Sequence, residues 1–129
     1  MTRNLVRVLF LDDSEDLRDL VKMLLETSLE VECMCFGSLG DIERHSSDVL
    51  GASVAILDIN LGPNVPDGID VFNWLKHHEF HGKIFFLTGH ARTMPQVAEA
   101  EKNGVEVLEK PLRPNKLISF VSQALSGTP

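Results

Sequence analysis

Five residues of this chain have the types and spacing to do chemistry together: Asp12, Asp13, Asp58, Thr88 and Lys110. Each closes or follows a strand-like run: VLFL leads to Asp12 and Asp13, VAIL to Asp58, IFFL to Thr88 and VEVLE to Lys110. Carboxylates crowded at strand ends repel, by roughly 4 kcal/mol for a pair about 4 Å apart at an effective dielectric near 20. Three acids and one lysine carry a formal charge of −3 + 1 = −2, which protons or a divalent cation must offset. An all-oxygen donor set suits Mg²⁺ better than Zn²⁺, which prefers His and Cys. Thr88 and Lys110 offer a hydroxyl and an ammonium, donors suited to a tetrahedral anion. Together these are the parts of a phosphoryl-transfer site, with cations on the phosphoryl oxygens and an aligned nucleophile. A carboxylate can be that nucleophile, and Asp58, which lacks an acidic neighbour, is the best placed.

The elements that must position these residues follow from hydrophobic period and punctuation. Strands are expected over 5–11, 31–36, 53–59, 83–88 and 105–109. After Ser14 the period becomes helical, with Leu17, Leu20, Val21, Leu24 and Leu25 assigned to one face up to about Ser28. Residues 38–47 are weakly helical, with SSD as a frayed end. Asp67 caps a helix carrying Ile69, Val71, Phe72 and Leu75, which stops near Gly82. Pro95 opens a helix that Gly104 ends, and Leu117, Ile118, Phe120, Val121, Ala124 and Leu125 mark the last. Strands alternating with helices specify an α/β fold with a five-stranded parallel sheet and helices on both faces. In such sheets ligands bind beyond the carboxyl ends of the strands, where four of the five strands deliver a polar side chain.

A chain of 129 residues suits a single domain, 1–129. Apolar residues make up 43% and the net charge is −7 with no basic block, which argues against direct nucleic-acid binding. No apolar run approaches the roughly 18 residues of a membrane span, and the N-terminus lacks a signal-peptide cleavage pattern; a cytoplasmic location is expected. Cys33 and Cys35 share one face of a strand and are expected as small buried hydrophobes rather than a redox or metal pair. His77 and His81 have a metal-like i, i+4 spacing, but a helix C-terminus explains histidines more simply. Trp74 fits either the core edge or the outer face.

The motifs LDDSE (11–15), AILDIN (55–60), DG (67–68), FLTGH (86–90) and EKP (109–111), in this order on the expected strand ends, resemble the receiver domain of two-component response regulators over nearly the whole chain. The resemblance implies the flavodoxin-like strand order 2-1-3-4-5, which the general rule for doubly wound sheets already illustrates with a member of this family. It implies that Asp58 accepts a phosphoryl group from a histidine on a sensor kinase or a histidine phosphotransfer protein. It also implies that Mg²⁺ is bound by Asp13, Asp58 and the main-chain carbonyl of Asn60, with Asp12 acting through metal-bound water. Thr88 and Lys110 would hold phosphoryl oxygens, the Lys110–Pro111 bond would be cis, and Asn60 and His90 would tune dephosphorylation. Such a protein is not an enzyme on a separate substrate, and a downstream protein would be met by the 93–125 face.

Two positions depart from the family. Val107 stands where receivers usually carry an aromatic switch residue, and Asp67 follows Asp58 by nine positions, a longer spacing than usual, which lengthens the 61–66 loop. The helix from about 93 to 103 has few large apolar residues (Met94, Val97, Ala98, Ala100), which predicts light docking and a shift between packings on phosphorylation. An acidic helix cap would explain Asp12 and Asp13 but not Asp58 and Lys110. A phosphatase of the haloacid dehalogenase type would need an acid where Ser14 stands, and a flavin carrier would not tolerate the DDSED acids beside its phosphate. A degenerate receiver acting as a phosphorylation-independent docking module is the remaining alternative. With only SGTP after the last helix, either a stand-alone receiver or a piece of a longer protein is expected.

Overall fold

The structure, a computed structural model, describes residues 5–59, 68–89, 95–102 and 104–126, without the side chains of 96, 97, 99 and 100. Its elements run β1 (Val6–Leu11), α1 (Glu15–Ser28), β2 (Val31–Phe36), α2 (Leu39–Arg44), α3 (Ser46–Leu50), β3 (Val54–Asp58), α4 (Gly68–His77), β4 (Lys83–Thr88), α5 (Pro95–Lys102), β5 (Glu106–Glu109) and α6 (Pro114–Leu125). All four strand pairings are parallel, in the order β2-β1-β3-β4-β5.

Alternation along the strands separates two cores. On one face Leu9, Leu11, Leu57 and Phe86 pack with Ile42, Val49, Val71 and Leu75 from α2, α3 and α4. On the other, Val8, Phe10, Ile56 and Phe85 pack with Val21 and Leu25 of α1 and Leu117 and Val121 of α6. Covered on both faces, β3 is buried along its whole length, the physical reason its sequence is continuously apolar rather than alternating.

Three details differ from the sequence reading. Residues 38–50 form two short helices that meet at His45. Ser38 caps the first by accepting the Asp41 N–H, and Ile42 and Val49 anchor one helix each, so SSD begins a helix rather than fraying one. In α1, Val21 and Leu25 are buried while Leu20 is 44% exposed and Met23 55%. At 3.6 residues per turn Leu20 points roughly 140° away from Leu25, outside the buried stripe. The fourth helix stops at His77, short of Gly82, with Glu79 adopting a positive φ of 59°. Trp74, ambiguous in sequence, is half-buried against the α4-side core and stacks on His78 with ring centroids 4.4 Å apart.

Candidate functional site

β1, β3 and β4 end, and β5 leads out, at one edge of the sheet. Asp12 and Asp13 directly follow β1, Asp58 is the last residue of β3, Thr88 the last of β4, and Lys110 follows β5. The parallel register holds these ends level: Asp58 stands opposite Leu87, and Thr88 opposite Glu109. The Ile59 N–H donates to the Leu87 carbonyl at 3.0 Å and the Lys110 N–H to the Thr88 carbonyl at 2.9 Å, extending the ladder past the strands.

Asp12 is fully buried, Asp58 is 1% exposed and Thr88 is buried; Asp13 faces solvent. One carboxylate oxygen from each of Asp12, Asp13 and Asp58 lies within 4.8 Å of the others. The Lys110 ammonium reaches between two of them, donating a hydrogen bond to Asp58 Oδ2 at 3.1 Å and standing 3.2 Å from Asp12 Oδ2. The second contact is an ion pair by distance without hydrogen-bond alignment, so Asp12 Oδ2 is buried with no hydrogen bond. Its sister oxygen, Oδ1, accepts the Ser14 N–H at 2.9 Å. Burial alone would pull the Lys110 pKa down. The hydrogen bond to Asp58 and its charge, then the charge of Asp12, outweigh this and leave it above the usual lysine range, so Lys110 is cationic at neutral pH.

These residues fit a small hard divalent cation. Three carboxylates against one ammonium leave negative charge unmet, the donors are oxygen, and a buried carboxylate oxygen lacks a hydrogen bond.

Two supporting features escaped the sequence reading. Arg18 Nη1 donates to the Asp12 carbonyl at 2.8 Å, and a Cβ on Gly37 would sit 3.0 Å from that nitrogen, so Arg18 ties the acidic turn down beside the end of β2. A cation so near a helix N-terminus opposes the macrodipole, and that anomaly was the available signal. Gly68 opens α4 directly against the phosphoacceptor candidate's backbone: a Cβ there would lie 2.5 Å from the Asp58 carbonyl oxygen. The DG motif marked the position without giving this reason.

The Lys110–Pro111 bond is cis. Val107 pairs with Phe86 and is half-buried against the α4-side core. His77 and His81 do not belong to any cluster of three or more potential metal ligands among the described residues; the acidic trio is the one such group. Asn60, His90, the 61–66 loop, Asp67 and Met94 lie outside the described residues, as do the side chains of Val97 and Ala100 on which the expectation of a lightly docked α5 turns.

A twisted parallel sheet in this order, with acids gathered at its carboxyl edge, defines a doubly wound receiver-like module. Residues 8–122 match the response regulator receiver domain, and the chain belongs to that family. It is 31% identical over 121 residues to the response regulator protein TodT of Pseudomonas putida, a match covering 92% of this chain and 50% of that protein; the chain thus spans about half the length of the curated relatives it matches. Among solved structures it resembles a response regulator receiver domain protein from Clostridium thermocellum, with a TM-score of 0.79, 25% identity and 95% of each chain covered. A CheY-like receiver domain protein from Methanospirillum hungatei shares the fold, with a TM-score of 0.78, 21% identity and 95% of each chain covered. No helix among the described residues is long and apolar enough to cross a membrane.

Proposed function

We propose that Asp58 accepts a phosphoryl group from a phosphohistidine on a sensor kinase or histidine phosphotransfer protein, and that the modified chain signals through protein contacts in the cytoplasm. The observation that carries this reading is the buried Asp58 carboxylate, hydrogen-bonded to Lys110 at 3.1 Å and gathered with Asp12 and Asp13. In the transfer, an Asp58 carboxylate oxygen bonds to phosphorus, the phosphorus–nitrogen bond breaks, and the electron pair leaves with the partner's imidazole, which takes up a proton.

Lys110 and Thr88 donate to the equatorial phosphoryl oxygens, where charge accumulates in the transition state. Asp12 and Asp13, with Asp58, would hold Mg²⁺, and Asn60 would add its main-chain carbonyl. The bound ion would supply positive charge to the phosphoryl oxygens and lower the repulsion between the incoming anion and the acids. Burial of Asp58 and Thr88 limits water at the acyl phosphate. The chain acts on itself and not on a separate substrate. Membership of the receiver family supports a histidine-kinase partner, and the net charge of −7 weighs against direct nucleic-acid contact.

The test is intact-mass measurement after incubation with Mg²⁺ and acetyl phosphate. One phosphoryl adduct is expected, absent in Asp58→Ala and absent when Mg²⁺ is omitted. An adduct that persists in Asp58→Ala would move the acceptor elsewhere. No adduct on the folded wild-type chain would favour a docking module that works without phosphorylation.

A further inference from the structure

Away from the acidic edge, the sheet carries a second pair of chemically capable side chains. Cys33 and Cys35 of the edge strand β2 are both reduced, point to the same face, and bring their sulfur atoms to 3.7 Å. Cys33 is 1% exposed, whereas Cys35 is half-buried. Both residues line a groove of about 390 Å³ at the open side of β2. The sequence expectation of small buried hydrophobes therefore describes Cys33 well and Cys35 only in part.

The backbone under this pair is held firmly. Val8 and Phe10 of β1 stand opposite Cys33 and Cys35. The Cys33 N–H donates to Glu26 Oε2 and its carbonyl accepts from Lys22 Nζ, both at 2.8 Å. The Cys35 thiol donates to the Arg18 carbonyl at 3.5 Å. Two sulfur atoms are thus fixed at contact distance without being bonded.

We propose that Cys33 and Cys35 form a chelating dithiol for one soft, low-coordinate metal ion of the Cu⁺ class. A disulfide suits this geometry poorly. Strand residues two apart have Cα atoms about 6.6 Å apart with Cβ vectors side by side, at the far end of the roughly 4.4–6.8 Å that disulfides span. An ion bridging the sulfur atoms needs no such closure. Zinc is disfavoured because a structural site wants four ligands, and among the described residues no third ligand side chain joins the pair. Thiolates select Cu⁺ among the biological ions that accept few ligands.

Binding replaces two S–H bonds with two S–Cu bonds, releases two protons and changes no oxidation state. The product carries one net negative charge, +1 − 2, beside the cations Lys22 and Arg18. The same surroundings already divide the two thiols. The hydrogen bond from Cys33, with help from Lys22 and Arg18 against the effect of burial, holds the Cys35 thiol below its usual range. That same hydrogen bond, then burial, pushes Cys33 up. Cys35 would therefore capture the ion first and Cys33 close the chelate.

The test is anaerobic titration of the reduced protein with Cu⁺ against a chromophoric Cu⁺ chelator, with size-exclusion chromatography of the product. One equivalent retained by the monomer is expected, with Zn²⁺ unable to displace it, and stoichiometric retention lost in both Cys35→Ser and Cys33→Ala. Circular dichroism and Mg²⁺-dependent labelling by acetyl phosphate report folding of the variants independently of copper. Surrender of all copper to the chelator by the wild-type protein would overturn the proposal. So would full retention in Cys35→Ser, or a copper-bridged dimer.

Discussion

The helix α1 borders two charged regions that are built in opposite ways. Over the edge strand β2, Lys22 and Glu26 pair at 2.9 Å and clamp both backbone polar groups of Cys33. One positive charge meets one negative charge, and each is further used by a backbone partner. At the carboxyl edge, just before the start of α1, Lys110 pairs with both Asp12 and Asp58, Asp13 adds a third carboxylate to the group, and Asp12 Oδ2 is buried without a hydrogen bond. Matched charge stiffens a region and closes an edge that would otherwise invite strand pairing. Unmatched charge costs stability, and it persists where a ligand from outside completes it.

Four measurements would break or sharpen this contrast. The largest effect is expected from Gly68→Ala, because a Cβ 2.5 Å from the Asp58 carbonyl oxygen meets backbone that cannot swing aside. About 3 kcal/mol of stability should be lost, with acetyl phosphate labelling reduced, in urea unfolding and mass measurements. A neutral substitution would mean that backbone packing does not hold the acidic edge in place.

Lys110→Met removes the cation that pairs with the Asp12 and Asp58 carboxylates. In Mg²⁺-free buffer it should cost about 2 kcal/mol, below the roughly 3–5 kcal/mol of a broken, fully buried pair, since the Lys110 side chain is 32% exposed. Adding Mg²⁺ should raise the melting temperature more in this variant than in the wild type, through ligand linkage. An equal or smaller Mg²⁺ response would contradict the idea that a divalent ion offsets the same charge.

Glu26→Gln tests the matched region. Losing the charge-assisted bonds to Lys22 and Cys33 should cost about 1 kcal/mol while the phosphorylation rate stays unchanged. A changed rate with unchanged stability would reverse the assignment. The clamp also carries a pH signature. Burial alone would raise the Glu26 pKa, but the Cys33 N–H and Lys22 outweigh it and hold the carboxyl below its usual range. The clamp's stabilisation is therefore complete above the unfolded value of about 4.3, and it falls away as pH drops through the lower folded value. Acid unfolding of wild type and Glu26→Gln should converge in that window.

Asp13→Asn should change stability least, within about 0.5 kcal/mol as for an exposed position, yet abolish most of the Mg²⁺-induced thermal shift. A retained shift would remove Asp13 from the ion's ligands.

The reading of the sequence succeeded where the signal was local. A run such as VAILD declares a strand covered on both faces, and its terminal acid needs no long-range information to be placed at a strand end. The five parallel strands and the gathering of Asp12, Asp58, Thr88 and Lys110 at one edge followed from period and punctuation. It failed where a helix face or a packing partner had to be chosen. Leucine spacing places Leu20 with Val21 and Leu25, although Leu20 lies outside their stripe, because spacing alone cannot show how wide the buried stripe is. The SSD stretch, 46–48, reads as a fraying end because Val49, the buried anchor of α3, gains its meaning only against the sheet.

The sequence by itself determined the order and period of the elements and the chemical character of each strand end. Both are written in neighbouring residues, through side-chain alternation and through glycine and proline at the turns. Only the tertiary structure decided that Asp12 keeps an oxygen without a hydrogen bond, that Gly68 abuts Asp58, and that two thiols of an edge strand meet beneath a lysine–glutamate clamp. Each of these depends on distances set by crossover helices and strand register, which bring together groups remote in the chain, and no local pattern records them.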